Sequence, residues 1–503
     1  MGLIRRDGRV RPDLVVLGLI LGAMVVGTVM GYTSAQQPDA ATLIIGLGLA
    51  GVLASIVWRR PDLGLLGLAA LMPFYPTIFG RLLVWGVPVS ILAPLRFWKE
   101  VVVISLGAKV LVSGMHRRTA IDNITIAFIL LTALYIVLPL GPSLYARLLG
   151  AREIASYLFL FLAARHLPLG ERLGPRLVVT LLAAGAVLGG LAFWDHFDNA
   201  GWSAWISASG LQEYQEQVFN IARIPGAEIG HLGDQEFIRT GSLFLNPLSL
   251  AFYLLIPVGI IIGRVVSGRA RRFEVVLGIV CAAGVLLTLT RSAITAMPLM
   301  LLVALVLGRR STRRMGGMLL AAGILWPVAS AVALGSHLSD AIDTGATSTQ
   351  GHLEQLSTDM ALLLAHPGGS GLATGGGLAS QRLSDAASIT AESWYFQVGL
   401  EIGVLGMLLF IALLWLCLAE LWRRTRESNP LAMEAMVAAA GLSVVGVVLR
   451  VYGDQVVSYS LWTLIGLALA VPLVAPEAEA PTEVAATEVV VGPRWRGPRR
   501  ARV

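Results

Sequence analysis

The sequence predicts a polytopic α-helical membrane protein, on the evidence of its composition, its long uncharged runs and the placement of its basic residues. Of the 503 residues, 56% are hydrophobic and only 14% are charged, and the mean hydropathy is +0.75. Runs such as LVVLGLILGAMVVGTVM and LVVTLLAAGAVLGGLAF approach the roughly 20 residues that a helix needs to cross a hydrocarbon core of about 30 Å. A soluble domain has no use for so much apolar sequence.

The apolar runs alternate with clusters of arginine along the chain. If every cluster is cytoplasmic, the runs pair without conflict and both termini lie inside, in agreement with the positive-inside rule. We expect about 14 helices in one cytoplasmic-membrane domain over residues 1–474, or 12 because two of the runs are short. The predicted spans are 13–31, 41–58, 63–80, 98–113, 122–140, 149–166, 175–194, 246–263, 273–289, 292–308, 315–335, 394–418, 431–450 and 456–474.

The chain ends and the cysteines carry no predicted chemistry. MGLIRRDGRVRPD precedes the first apolar run without a convincing cleavage site, so that run is expected to be a transmembrane helix rather than a signal peptide. The composition of residues 475–503 predicts a disordered cytoplasmic tail whose arginines contact anionic membrane lipids. Cys281 and Cys417 are predicted to be buried core thiols, because their separation fits neither a metal-binding nor a redox motif. The net charge of +7 is explained by the topology, so no nucleic-acid partner is expected.

Two long connections are predicted on the extracytoplasmic side, at about 195–245 and 336–391. Long loops in a compact bundle are usually functional or disordered. The first mixes Trp202, Trp205 and Tyr214 with polar residues, which indicates a partly folded interfacial element such as a helix lying on the membrane. The second has a helical middle, GHLEQLSTDMALLLAH, followed by a Gly-rich turn.

Two arginines stand at predicted outer ends of helices. Arg239, in FIRTGSLFLNPLSLAFYLL, either extends to lipid headgroups or grips a phosphate, for which its planar guanidinium is well suited. Arg291, in LLTLTRSAITAM, interrupts apolar sequence at an outer turn. The positive-inside rule disfavours an arginine there, and charge at such depth usually faces a cavity or a partner.

The segment AESWYFQVGLEIGVLG places Glu392 at the threshold of a helix. The residue is either an acid that interacts favourably with the helix dipole or a general base at the membrane boundary. His352, His366 and Arg382 in the second loop are weaker candidates for substrate binding, and the histidines can equally be ordinary loop residues. Their scatter gives no metal-ligand spacing, so no metal site is expected. No Walker loop, GxSxG elbow or GxGxxG after a strand is present.

Three segments together resemble the O-antigen ligase and O-antigen polymerase superfamily of bacterial membrane glycosyltransferases, over about residues 190–420. RTGSLFLNPLSLAFYLL resembles that family's Arg–Gly–Pro start of the helix after the first long periplasmic loop, and LLTLTRSAITA resembles its turn containing Ser and Arg. HPGGSGLATGG with AESWYFQVGLEIGVLGMLLF resembles its Pro/Gly turn and the following helix. In the ligases this helix starts with a catalytic His. Here Glu392 and Ser393 keep the nine-residue spacing to Gly403 and Gly406, so the missing His disfavours the ligase subtype more than the superfamily.

The resemblance implies a GT-C-like helical fold and a polyprenyl-diphosphate-linked oligosaccharide donor. It also implies metal-independent, inverting transfer to a glycan or lipid-glycan acceptor outside the cytoplasm, without a cofactor. On this interpretation Glu392 deprotonates the acceptor hydroxyl, while Arg239 and Arg291 neutralise the diphosphate leaving group. Trp394 and Tyr395 could stack on a sugar, although aromatic residues at a membrane boundary need no such role.

A transporter or flippase of lipid-linked oligosaccharide is the alternative function. Many helices, many glycines and a basic cytoplasmic face suit it equally well. Transporters, however, usually have short connections on both membrane faces, because their binding site lies near the midplane and must open both ways. A scaffold of the related peptidoglycan polymerases matches the key segments less well. The sugar, the acceptor and the choice between polymerisation and ligation stay open.

Overall fold

The computed structural model describes residues 40–115, 118–170, 172–219, 229–232, 235–308, 347–375, 391–427 and 429–470. Over these residues the protein is a bundle of helices with one short β-hairpin. The predicted spans at 13–31 and 315–335, the tail at 475–503 and Arg382 lie outside the described residues.

The helices before the hairpin include the first long connection. They are α1 (Ala40–Arg59), α2 (Pro61–Leu71), α3 (Tyr75–Val84), α4 (Val89–Leu95), α5 (Trp98–Ser113), α6 (Ala120–Val137), α7 (Leu144–His166), α8 (Leu173–Phe197), α9 (Asn199–Ser209) and α10 (Leu211–Phe219). In the hairpin, β1 (Ile229–Leu232) pairs antiparallel with β2 (Gln235–Ile238). A 3-10 turn, Ser242–Phe244, then leads into the second half of the bundle.

The helices after the hairpin carry the second long connection and the C-terminal part of the bundle. They are α11 (Pro247–Val266), α12 (Arg272–Leu287), α13 (Arg291–Leu307), α14 (Thr347–Ala365), α15 (Trp394–Arg426), α16 (Pro430–Val448) and α17 (Gln455–Ala468), with a 3-10 turn at Val451–Gly453. The helical middle predicted for the second loop is confirmed by α14.

Among the described helices, five are long and apolar enough to cross a membrane, namely α6, α8, α11, α15 and α16. A sixth span results if α2 and α3, which meet at an angle of 73°, cross together. The run predicted as one span at 63–80 is therefore broken between two helices, because Pro73 lies at the break and proline supplies no backbone N–H. The class of polytopic membrane protein is confirmed; the full number of crossings, the membrane and its sidedness stay predictions.

The described bundle has two chemically different ends. At one end, Arg165 in the last turn of α7 bonds the Asp122 carboxylate at the start of α6 at 2.8 Å. At the same end, Arg264 at the close of α11 bonds Glu274 and Glu434, each at 3.0 Å. We call this the basic end, and the opposite end, where the two long connections attach, the loop end. The positive-inside rule predicts that the basic end is cytoplasmic.

Aromatic side chains fill the bundle core behind the start of α15. Phe410 lies 5.6 Å from Tyr452 and 6.2 Å from Trp462 between ring centroids. Cys281 and Cys417 are fully buried free thiols, so their prediction as core residues is confirmed.

The first long connection folds onto the bundle. The ring of Trp194 in α8 lies 5.4 Å from that of Trp202 and 5.7 Å from that of Trp205, both in α9. Gly80 in α3 meets Gly210 backbone to backbone, a contact that only residues without a Cβ allow. The predicted partial folding is confirmed, and because Trp202 is fully buried, α9 is anchored on protein.

Candidate functional site

Helix α15 is broken near its start, within the segment that carries the resemblance. Ile402 has φ −123° and ψ 19°, and Gly403 has φ 80° and ψ 170°, a conformation almost restricted to glycine. Such a break removes helical hydrogen bonds and leaves carbonyl groups that need other donors.

The Pro/Gly turn at 366–375 supplies those donors. Three backbone hydrogen bonds join the turn to the break: Ser370 N–H to the Leu400 carbonyl at 2.7 Å, Gly371 N–H to the Glu401 carbonyl at 3.1 Å, and Val404 N–H to the Pro367 carbonyl at 2.9 Å. The Tyr135 hydroxyl, at the end of α6, donates to the Gly368 carbonyl. The two segments that the resemblance pairs therefore form one structural unit at the loop end.

Glu392 lies just before this broken helix and contacts the second long connection. It is half-buried, and its backbone N–H donates to the carboxyl group of Asp359 in α14. Asp359 is fully buried and also accepts a 2.8 Å hydrogen bond from Gln355 Nε2. Burial raises the pKa of Asp359, while the bonds from Gln355 and Glu392 and the nearby charge of Arg450 oppose the rise. These residues form an acidic group with one guanidinium beside it.

Arg239 and Arg291 come from two segments that meet at the loop end. Arg239 Nε donates to the Thr288 carbonyl and its Nη2 to Thr290 Oγ1, both at 3.3 Å. These threonines form the turn that ends immediately before Arg291, the first residue of α13. Arg239 is half-buried and Arg291 is exposed. The structure thus brings the first two segments of the resemblance into direct contact.

Local contacts fix the chain between Arg239 and α11. The Asp195 carboxylate, at the end of α8, accepts from the backbone N–H of Gly241 at 3.1 Å and of Ser242 at 3.0 Å. Asn246 then caps α11 by accepting from Leu248 N–H at 2.9 Å. These contacts fix the short stretch of chain between Arg239 and the start of α11, which is long and apolar enough to cross a membrane.

The two groups lie at the same end of the bundle. Helix α16 starts at the basic end, where Glu434 meets Arg264, so it runs antiparallel to α13, which starts at the loop end. Met300 of α13 contacts Gly441 of α16. Nine residues back along α13 from Met300 is Arg291, and α16 ends at Val448, seven residues beyond Gly441, so Arg291 and the end of α16 lie at the same end of the bundle. Arg450 follows the end of α16, and its charge acts on Asp359, so Glu392 and Asp359 belong to the loop end together with Arg239 and Arg291.

A third group, missed by the sequence prediction, lies inside the bundle below the Pro/Gly turn. Gln397 Nε2 donates to Glu153 Oε1 and to Glu401 Oε1, both at 3.2 Å, and Glu401 Oε2 accepts from Ala373 N–H at 2.9 Å. Arg152 Nη1 bonds Glu100 Oε1 at 3.0 Å, beside Lys99, which donates to the Tyr75 hydroxyl at 2.9 Å. The available signal was a pair of adjacent charged residues beside or within an apolar run, as in WKEVVVISL and LLGAREIASY, because such charges usually mark function.

The remaining predicted residues occupy less suitable positions. Trp394 is fully buried among Tyr157, Phe410 and Tyr452, with ring centroids 6.0 to 6.5 Å apart, so no face is open for a sugar. The Tyr395 hydroxyl donates to the Ser443 carbonyl at 2.9 Å. We therefore assign both aromatic residues to packing, because protein atoms already make the contacts that a sugar would make.

Of the two loop histidines, one lies within α14 and the other directly follows it. His366 is exposed at the start of the Pro/Gly turn, where its carbonyl accepts from Gly369 N–H at 2.9 Å. His352 belongs to α14, but its side chain is outside the described part, as is Arg382. Among the residues described, the structure contains no cluster of three or more His, Cys, Asp or Glu side chains that could hold a metal ion.

No protein-family model matches this chain, and no curated protein is found to be similar to it. The chemical interpretation therefore depends on the groups at the loop end. Carboxylates there can take a proton from a hydroxyl group, and guanidinium groups can neutralise an anion.

Proposed function

We propose that this protein is a membrane glycosyltransferase that polymerises or ligates polyprenyl-diphosphate-linked glycan on the outer face of the cytoplasmic membrane. The observation that supports the proposal is that Glu392 and Asp359, with the charge of Arg450 nearby, and the contact of Arg239 with the turn before Arg291 all belong to the loop end of the bundle. The reaction needs both kinds of group, a base for the acceptor and cations for the leaving group.

In the proposed reaction, an acceptor hydroxyl attacks the anomeric carbon of the donor sugar in line with the departing diphosphate. The new C–O bond forms as the bond to the diphosphate oxygen breaks, and that oxygen keeps the electron pair. Glu392 takes the hydroxyl proton. Arg239 and Arg291 stabilise the charge that develops on the diphosphate, through charge-assisted hydrogen bonds. A single displacement inverts the anomeric configuration.

A transporter or flippase of lipid-linked oligosaccharide is the second candidate, favoured by the buried charged group around Gln397. Ionisable residues inside a bundle often serve ion-coupled transport. The ion pairs at the basic end favour the enzyme instead, because a transporter must open that end. Arg165 and Asp122 are both at most 2% exposed there.

The two functions are separated by reconstituting the purified protein in liposomes with a radiolabelled polyprenyl-diphosphate oligosaccharide. Chain lengthening or transfer supports the glycosyltransferase, whereas transbilayer movement without new product overturns it. Glu392→Gln, Arg239→Ala and Arg291→Ala should each abolish product while expression and membrane insertion stay normal. Arg172→Ala, which changes an exposed arginine at the basic end, is the matched control and should leave product unchanged. Product at wild-type levels in all three site variants would contradict the assignment.

A further inference from the structure

The chain on either side of Glu392 is held by hydrogen bonds to other parts of the loop end. Before it, the Ala391 N–H donates to the carbonyl of Gly375, at the end of the Pro/Gly turn, at 3.1 Å. After it, Ser393 Oγ donates to the carbonyl of Gly446, in the last turn of α16, at 3.3 Å. Ala391 and Ser393 are both buried. The position of Glu392 therefore depends on where the Pro/Gly turn ends.

The end of that turn is held by the side chain of Glu401. The three backbone bonds that dock the turn on the helix break extend as far as Gly371. Beyond it, Glu401 Oε2 accepts from the Ala373 N–H at 2.9 Å. Gly375 lies against the same carboxyl group, since a Cβ on Gly375 would lie 3.0 Å from Glu401 Oε1. Glu401 therefore sets the position of the residue to which Ala391 is bonded.

The Glu401 carboxyl group is itself fixed, and both of its oxygens are used. Oε1 accepts from Gln397 Nε2 at 3.2 Å, and the same nitrogen donates to Glu153 Oε1 on α7. Oε2 holds Ala373, whose φ of 67° is a left-handed conformation that a residue with a Cβ adopts only at a cost. A carboxylate accepts at both oxygens, whereas an amide accepts at one and an aliphatic side chain at neither. Burial of a carboxyl group is unfavourable, and these two contacts explain its presence.

Resting on the proposed function, we propose that Glu401 is a positioning residue for Glu392. It acts through the end of the Pro/Gly turn, which the Glu401 carboxyl group holds and to which Ala391, the neighbour of the base, is bonded. A general base must come within about 2.6–3.2 Å of the atom that gives up the proton, so a small displacement of Glu392 is enough to lose catalysis. Arg239 is held by separate contacts with Thr288 and Thr290, so binding of the diphosphate should not depend on Glu401.

Two variants remove this support in different ways. Glu401→Leu keeps a side chain that fits a buried site but accepts no hydrogen bond. Gly375→Ala keeps the carboxyl group and pushes the turn away from it, because the new Cβ would lie 3.0 Å from Glu401 Oε1 and 3.1 Å from Gln397 Cγ. The second variant keeps the test informative if the first fails to fold. Gly368→Ala is the matched control, since a Cβ on this glycine of the same turn meets nothing within 4 Å.

The first measurement is the pH dependence of kcat in the reconstituted transfer assay, with donor and acceptor varied separately. Loss of the base should lower kcat by about 100-fold in Glu401→Leu and Gly375→Ala, with both KM values unchanged. The kcat of the wild type should level off with rising pH once the base is ionised. In the variants kcat should keep rising with pH, because hydroxide must then take the proton.

The shape of the pH profile separates positioning from a general loss of folded protein. A purely structural defect lowers the whole profile and leaves its shape unchanged. That result in both variants, in a protein whose wild type makes product, would overturn the inference and leave the transferase standing. Gly368→Ala should give the wild-type profile.

Hydrogen exchange tests the same support without turnover. The Ala391 N–H should exchange about tenfold faster in Glu401→Leu and Gly375→Ala than in the wild type, because its bond to the Gly375 carbonyl opens. The amides of α11 should keep their wild-type rates, which identifies the variants as folded. Unchanged exchange at Ala391 in the folded variants would overturn the inference. Faster exchange in the variants of a protein that transfers no sugar would refute the transferase and retain the link between Glu401 and Glu392.

Discussion

The break in α15 gives the sharpest test of the structure through Gly403→Ala. Gly403 has φ 80° and ψ 170°, a region that a residue with a Cβ occupies at a cost of about 1–3 kcal/mol. The added Cβ would also lie 2.9 Å from the Pro367 carbonyl oxygen and 3.0 Å from the Gly368 carbonyl carbon. Both are backbone atoms, which cannot rotate aside as a side chain can.

Relief of that contact requires the Pro/Gly turn to move away from the helix. The movement breaks at least one of the three backbone bonds at the break, each contributing about 0.5–1.5 kcal/mol. Adding the backbone strain, we expect Gly403→Ala to destabilise the protein by about 2–4 kcal/mol. Because the turn supports the start of α15, transfer activity should fall as well.

The measurement is the unfolding free energy in detergent micelles, with tryptophan fluorescence as the probe. Gly190→Ala is the matched control, since Gly190 is helical in α8 and a Cβ there meets nothing within 4 Å. That substitution should be neutral or stabilise the helix by up to about 1 kcal/mol. If Gly403→Ala unfolds at the same free energy as Gly190→Ala, the broken helix and its docked turn are wrong.

Three further results are expected. Asp122→Asn should destabilise the protein by about 3–5 kcal/mol in the same assay, because it leaves the buried Arg165 guanidinium without its carboxylate; a loss below 1 kcal/mol would contradict the buried pair. The pKa of Asp359 is raised above its ordinary 3.8, so the folded protein holds this proton more tightly than the unfolded chain does. The stability that the bound proton contributes is fully present below pH 3.8 and is lost as the pH rises through the folded-state pKa. Asp359→Asn should therefore gain stability relative to wild type as pH rises in a melting series from pH 3.5 to 7, and parallel curves would refute the shift. Cys281 and Cys417 are fully buried, so a maleimide should label them only after unfolding, and labelling of native protein would argue against the core.

Helix positions were predictable because apolar length is a local property of the sequence. The run 122–140 became Ala120–Val137, and 246–263 became Pro247–Val266 after an Asn-Pro start that caps the helix. The bend between α2 and α3 was also predictable from Pro73, because proline disrupts a helix, but the prediction of one span relied on the length of the apolar run at 63–80 instead.

The candidate site was only partly predictable because its contacts join residues far apart in sequence. That Arg239 and Arg291 belong to the same end of the bundle was predictable, because both were placed at outer ends of helices; the contact of Arg239 with Thr288 and Thr290 was not. The contact of Glu392 with Asp359 was not, because nothing in GHLEQLSTDMALLLAH distinguishes one carboxylate of an amphipathic helix from another. Trp394 was placed at the membrane boundary by its position in the chain, whereas packing placed it in the core.

The tryptophan trio that anchors α9 also gives this protein an optical signature. Trp202 and Trp205 have ring centroids 5.1 Å apart at an interplanar angle of 27°, and Trp194 stands across them at 75° and 49°. Indoles at such separations and angles share their excited states, which produces a paired positive and negative band in circular dichroism. Trp205→Phe should weaken that band to the contribution of the Trp194–Trp202 pair, and detachment of α9 from α8 should remove every contribution of Trp194, so the docking of this connection can be followed without a label.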